Sequence, residues 1–207
     1  MTQALLYKFK PQQMLDLLTG RLSIAVFKRD LPQWAKDKLA RGEIVEGYGY
    51  CTKGKPYLIN HPYHSYMLID DNSFDNLNGL VVVKFEVSGT TRYVDCSDCT
   101  NTENGHECEN DFMYLLSVDP TLRKSTCLTA DEIEDYGNGA DLYAHHLKNI
   151  QPVNMELGEF YKYGKDYGAD ICEFSPFDYD NDLDNCLKSF QLTKATQSFQ
   201  TVWVKGE

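Results

Sequence analysis

The chain has 207 residues and a formal net charge of −11, a length that suits one well-filled core and a charge that disfavours indiscriminate attraction to polyanions. No apolar run approaches the roughly 18 residues that span a bilayer. The opening MTQALLYKFKPQQM also lacks the charged start, long apolar middle and small-residue cleavage site of a signal peptide, so the expectation is a cytoplasmic protein with no membrane partner.

Seven cysteines, an odd number, fit reduced thiols or metal ligands better than a disulfide framework. Charge is unevenly spread. Residues 1–60 carry ten Lys and Arg against five Asp and Glu, or +5, whereas 61–207 carry ten against twenty-six, or −16. A locally basic surface on an acidic protein suits a pocket for one small anion or nucleotide, or a protein partner, better than a long nucleic-acid track.

Pro11 fits a first helical turn, Met14, Leu15, Leu17 and Leu18 supply an apolar face, and Gly20 suits the cap that ends it. Beyond the glycine, Leu22, Ile24 and Val26 alternate with Arg21, Ser23 and Ala25, which predicts a strand. A helix that ends on glycine and feeds a strand brings Arg21, Ser23, Phe27 and Lys28 to one edge, where a ligand can meet the chain; the alternative is an ordinary connection with solvated basic residues. Trp34 to Glu46 reads as a short helix and turn broken by Gly42 and Gly47. Tyr48 onward reads as a strand, then a basic turn in which Lys53 and Lys55 flank Gly54, then a second short strand. That turn offers amides and ammonium groups to an anion, but it lacks P-loop spacing.

Residues 60–78, rich in His, Tyr, Asp and Asn, read as a loop or lid. Leu80 to Val87, LVVVKFEV, is the strongest strand signal, because β-branched residues crowd a run that follows Asn-Gly. Lys84 inside it faces solvent or a polar cavity. Residues 88–126 read as an insertion in which Cys96, Cys99, His106 and Cys108 match the four ligands of a structural zinc, the alternative being an unliganded loop. Thr129 and Glu132 then form a capping box for a two-turn helix ending at Gly137. The next strand, Leu142 to Ile150, sends His145 and His146 to opposite faces, so they do not share a metal. Residues 155–163 read as a short helix or loop. An acidic loop at 170–186 fails the calcium-loop pattern, with Leu183 where glycine is needed and Ser189 where glutamate is needed. Thr201 to Val204 closes the chain as a strand.

Several of these segments together resemble the ASCH domains of the PUA-like superfamily, in particular the small ASCH-type proteins encoded by bacteriophages. Gly20 to Lys28 occupies the frame of the family's GxK[TS]xExRK strand, Tyr48 to Lys55 its aromatic strand and CTKGK, and Gly79 to Phe85 its G[KL]VVxEF-like strand. Residues 127–150, CLTADEIEDYGNGADLYAHHLKNI, and the closing LTKATQSF also look like family segments. The resemblance implies one α+β domain over 1–207, a small curved β-barrel with flanking helices and a cysteine-containing insertion. It also implies a cleft beside the glycine-led strand that binds nucleic acid or a nucleoside. The family's Lys corresponds to Leu22, its Glu to Ala25, its Arg to Phe27 and its later Glu to Lys84. Ser23 is then the remaining nucleophile, with His146 a candidate base that nothing in the sequence places beside it.

The resulting expectation is a non-catalytic module whose basic cleft takes a nucleotide, modified nucleoside or short single-stranded RNA through Arg21, Ser23, Phe27, Lys28, Lys53, Lys55, Lys84 and His146. The alternative is a phage-encoded inhibitor, acting in the host cytoplasm, whose acidic surface covers a basic host protein of nucleic-acid binding or antiviral defence. A nucleoside amidohydrolase or ribonuclease stands third.

Overall fold

The computed structural model describes residues 2–54, 77–93, 119–162, 191–193 and 198–204. Seven strands form one mixed sheet: β1 (Thr2–Phe9), β2 (Ile24–Phe27), β3 (Val45–Cys51), β4 (Val81–Tyr93), β5 (Leu142–Met155), β6 (Phe160–Lys162) and β7 (Phe199–Val204), in the order β2-β5-β4-β3-β1-β7-β6. Among the described residues four α-helices accompany it, α1 (Pro11–Leu18), α2 (Gln33–Ala40), α3 (Pro120–Thr126) and α4 (Ala130–Gly137). The strand pair β1 and β3 is parallel and the other pairs are antiparallel.

β1 was not expected from its composition, and it is the strand on which both faces depend. Leu5, Tyr7 and Phe9 point into the main core, while Ala4 and Leu6 point into a second cluster on the opposite face. Because both faces are covered, the run ALLY carries no polar half to betray the period of two. β2 behaves likewise: Ala25 and Phe27 join the main core, and Ile24 and Val26 pack with Ile133 of α4, Tyr93 and Leu142 on the other side. The sequence expectation of one apolar and one small or polar face is therefore corrected, because α3 and α4 cover the second face.

α1 forms as expected. Pro11 opens it, Met14, Leu15 and Leu17 are buried, and Gly20 follows the cap residue Thr19 at φ 73°, a left-handed conformation open to glycine at no steric cost. α2 begins at Gln33 and ends at Ala40, so Val45 and Glu46 belong to β3 and not to the helix-turn segment.

The expected barrel is not closed. Among the described residues the sheet runs open from β2 to β6, and what lies along the outer edge of β2 is helical: the Ser23 amide donates to the Ser125 carbonyl at 2.9 Å, just inside the end of α3. The sheet is nonetheless bent. Register shifts interrupt the β4–β5 pairing at three places, with Asn149 at φ 51° beside one of them, and such bulges bend long strands.

Both ends of the segment read as an insertion, 88–126, are regular structure. Ser88 to Tyr93 continue β4 against β5, and Pro120–Thr126 is α3, capped by the Asp119 carboxylate, which accepts from the Thr121 amide at 2.8 Å. The four proposed zinc ligands Cys96, Cys99, His106 and Cys108, Lys55, the loop at 60–76 and the acidic loop lie outside the described residues. No helix among the described residues is long and apolar enough to cross a membrane.

α4 matches expectation closely. The Glu132 amide donates to Thr129 Oγ1 at 3.2 Å, and Glu132 Oε2 accepts from the Thr129 amide at 2.9 Å. Thr129→Ala is expected to cost about 1 kcal/mol in a urea unfolding curve, the usual weight of an N-cap.

Candidate functional site

A cleft of about 420 Å³ opens along β2. One wall is the end of β1 and the start of α1, with Lys8, Phe9, Lys10 and Gln13; the bed is Leu22 and all four residues of β2; the far wall is Leu128 with Glu132, Asp135 and Tyr136 of α4. Thr52 and Ser198 close the β1 side. The order of elements explains this. α1 lies on the main-core face, α4 packs on the opposite face, and β2, as an edge strand, runs between them.

The electrostatics are divided. Lys8 and Lys10 stand at one wall, while Glu132 and Asp135 stand at the other, so the lining carries two charges of each sign. Glu132 is held by the capping box. Lys28, exposed, sits over the Tyr136 ring at 5.4 Å from its centroid, and the Lys28 main chain lies near the Tyr136 hydroxyl. Burial still pushes the Tyr136 hydroxyl above its ordinary range, so it remains a phenol at neutral pH.

Beneath the cleft lies an aromatic cluster. Phe27 packs against Tyr7, Phe199 and His145 at centroid distances of 5.4, 5.1 and 5.0 Å. His145 is fully buried, and its Nδ1 lies 2.9 Å from the Tyr7 hydroxyl. Its Nε2 lies near the Arg29 main chain without a hydrogen bond of full geometry. Burial lowers the imidazole pKa to about 4, against a smaller opposing pull from Asp30. His145 is therefore neutral at pH 7.

The sequence-predicted residues divide sharply. Phe27 lines the cleft and Lys28 stands at its rim through Tyr136. Arg21 is exposed at the turn after α1, and Ser23 lies at the start of β2 with its carbonyl accepting from the Leu147 amide at 2.8 Å. Lys53 is exposed near Gly79. None of these three is in the cleft lining. His146 does face away from His145, as the alternation requires, and its Nε2 lies 2.8 Å from Thr91 Oγ1; burial lowers its pKa too. Lys84 sits mid-sheet on the face opposite the main core, ion-paired with Glu46 at 2.8 Å beside a Lys148–Glu86 pair at 3.5 Å. That position is a solvated charge ladder between two apolar clusters, so Lys84 contributes no charge to the cleft.

Sequence reasoning missed Lys8, Lys10, Asp135 and Tyr136. The signal for the lysines was present in their alternation with Phe9 at the end of an apolar run, but it depends on recognising β1. Both described cysteines, Cys51 and Cys127, are buried, and burial pushes their thiols up to about 11 and about 12, which removes them as nucleophiles at neutral pH. Among the described residues no group of three His, Cys, Asp or Glu side chains is placed to hold a metal.

No family model and no curated protein matches the chain. Among solved structures it is similar to ASCH from Zymomonas mobilis, with a TM-score of 0.43, 13% identity and coverage of 74% of this chain and 73% of that one. Crystal structures of two point mutants of the same Zymomonas mobilis protein give the same TM-score at 14% and 13% identity.

Proposed function

We propose that this chain is an ASCH/PUA-like binding module that takes a nucleotide, a modified nucleoside or the end of a short single-stranded RNA in the cleft along β2. One observation carries the reading: a bed of aromatic and aliphatic side chains lies between a pair of lysines and a pair of carboxylates. The volume falls within the roughly 300–1,000 Å³ of small-ligand sites. Lysines at one end suit a phosphate as point charges. Carboxylates at the other accept hydrogen bonds from sugar hydroxyls or exocyclic amines. Tyr136 supplies a face for a base, which is how unpaired bases are commonly held, and Phe9 and Phe27 add apolar edges to the bed.

The resemblance supports the same place. Leu22, Ala25 and Phe27, which stand where the family frame has Lys, Glu and Arg, all line this cleft. Their apolar character makes the floor a packing surface, and the charge has moved to the walls.

Titration of cytidine 5′-monophosphate by calorimetry tests the proposal. The double variant Lys8→Ala/Lys10→Ala is expected to bind about tenfold or more weakly, the scale of losing charged hydrogen bonds that are partly exposed to water, and wild-type binding is expected to weaken as salt rises. Equal affinity in a folded double variant would remove the lysine wall from the site.

A further inference from the structure

The outer edge of β2 is closed at both ends and open in the middle. In the antiparallel pairing of β2 with β5, Ile24 lies opposite His146, Ala25 opposite His145, Val26 opposite Ala144 and Phe27 opposite Tyr143. The Leu147 amide donates to the Ser23 carbonyl, so this carbonyl faces β5. Main-chain groups alternate along a strand, hence Ala25 and Phe27 also face β5, and Ile24, Val26 and Lys28 present their N–H and C=O groups away from it.

Both ends of this edge are covered. At the start, the Ser23 amide bonds the Ser125 carbonyl; at the end, the Tyr136 ring lies against Lys28, whose Nζ is 5.4 Å from the ring centroid. Between them, the outward groups of Ile24 and Val26 have no main-chain partner among the described residues, and both residues line the cleft. Polar main-chain groups at the wall of a cleft are costly to leave dry and are paired by water or ligand.

We propose that the main chain of Val26, with Ile24 beside it, reads the edge of a nucleobase in this cleft. This rests on the nucleotide reading above and deepens it. An outward-facing strand residue offers one donor and one acceptor side by side, the complement of the adjacent acceptor and donor on the pairing edge of a base. A peptide strand carries the same pair of groups and is the obvious rival. It would have to run on past residues 23 and 28, and Ser125 and Tyr136 stand across those two exits. A flat ring needs only the open stretch, and Lys8 and Lys10 across the cleft suit the phosphate attached to it.

The test uses the whole protein, labelled with nitrogen-15, and follows hydrogen exchange of the Ile24 and Val26 amides. Cytidine 5′-monophosphate is expected to slow exchange at Val26 at least about tenfold, the scale of one hydrogen bond, and ribose 5-phosphate is expected to leave it unchanged. Val26→Pro removes the outward N–H at an edge position where proline is tolerated, so the variant is expected to fold and to lose about tenfold in affinity for the nucleotide but not for ribose 5-phosphate. If the proline variant unfolds, the exchange experiment on the wild-type protein decides alone. Lysine-dependent nucleotide binding with no change at either amide would overturn main-chain reading and leave the cleft reading intact. Absence of nucleotide binding altogether would overturn both. Protection of these amides by an extended peptide, with none by nucleotides, would overturn the proposal in favour of strand addition.

Discussion

Gly47→Ala is expected to destabilise the protein by about 3 kcal/mol, the upper end of the usual cost of overpacking a core. A Cβ at Gly47 would stand 2.2 Å from Cε2 of Phe85 and 2.7 Å from Cδ2. Phe85 faces it directly across the β3–β4 pair and cannot withdraw, because its ring is held between Tyr7 at 5.2 Å and Phe9 at 6.3 Å. The strain would therefore pass into β1, an inner strand next to β3, and through Tyr7 to the floor of the cleft. Gly158→Ala serves as the comparison. No heavy atom lies within 4 Å of a Cβ there, and its effect is expected to stay within about 0.5 kcal/mol. Urea unfolding of both variants measures the difference, and similar midpoints would mean that Phe85 has room to move.

Acid is expected to weaken the fold through His145. Its pKa in the folded chain is about 4 and in the unfolded chain about 6.5, so between these values the unfolded chain takes up a proton that the folded chain refuses. The sign follows: the contribution is complete above about pH 6.5, is lost as pH falls through that value, and levels off below about pH 4. The full loss is about 3 kcal/mol. Asp30 opposes it by favouring the charged ring, and His146 adds to it. The physical cause is the surroundings: a buried imidazolium would sit among Tyr7, Phe27 and Phe199 with no carboxylate in contact. His145→Asn keeps a polar atom near the Tyr7 hydroxyl and removes the titration. Unfolding free energies at pH 7.5 and pH 4.5 are expected to fall about 2–3 kcal/mol further in wild type than in this variant. Equal pH dependence in the two proteins would place the acid sensitivity elsewhere.

Elements that the sequence made legible are those whose signals are local. Proline at the start of α1 and the glycine after it, the Thr129–Glu132 capping box and the β-branched run of β4 each depend on a few neighbouring residues, and each appears where it was expected. What escaped is set by tertiary context. β1 has no solvent face, so its period of two divides residues between two cores. Ser88 to Tyr93 are strand because β5 is long enough to pair with them, a fact that no property of SGTTRY announces. Closure into a barrel depends on whether β2 and β6 meet, which no local run of residues announces.

The candidate site was half legible for the same reason. The glycine-led strand supplies the bed of the cleft, and Phe27 and Lys28 lie in or beside it. Lys84 stands out in the sequence as a charge within a strand, but its ion-pair partner Glu46 lies diagonally across on β3, where Tyr48 is directly opposite, a placement that requires the register. Tyr136 is an exposed helix residue in sequence and structure alike, and only the placement of α4 beside β2 brings it to the cleft.

The claim that the cleft along β2 is a nucleotide site is tested most directly by mapping amide chemical-shift changes as cytidine 5′-monophosphate is added to the whole protein. The account predicts saturable changes at Lys8 to Lys10, Ile24 to Lys28 and Glu132 to Tyr136, with Lys53 and the Glu46–Lys84 face unmoved. Changes centred on Lys84 and Glu46, or none at millimolar nucleotide, would contradict it.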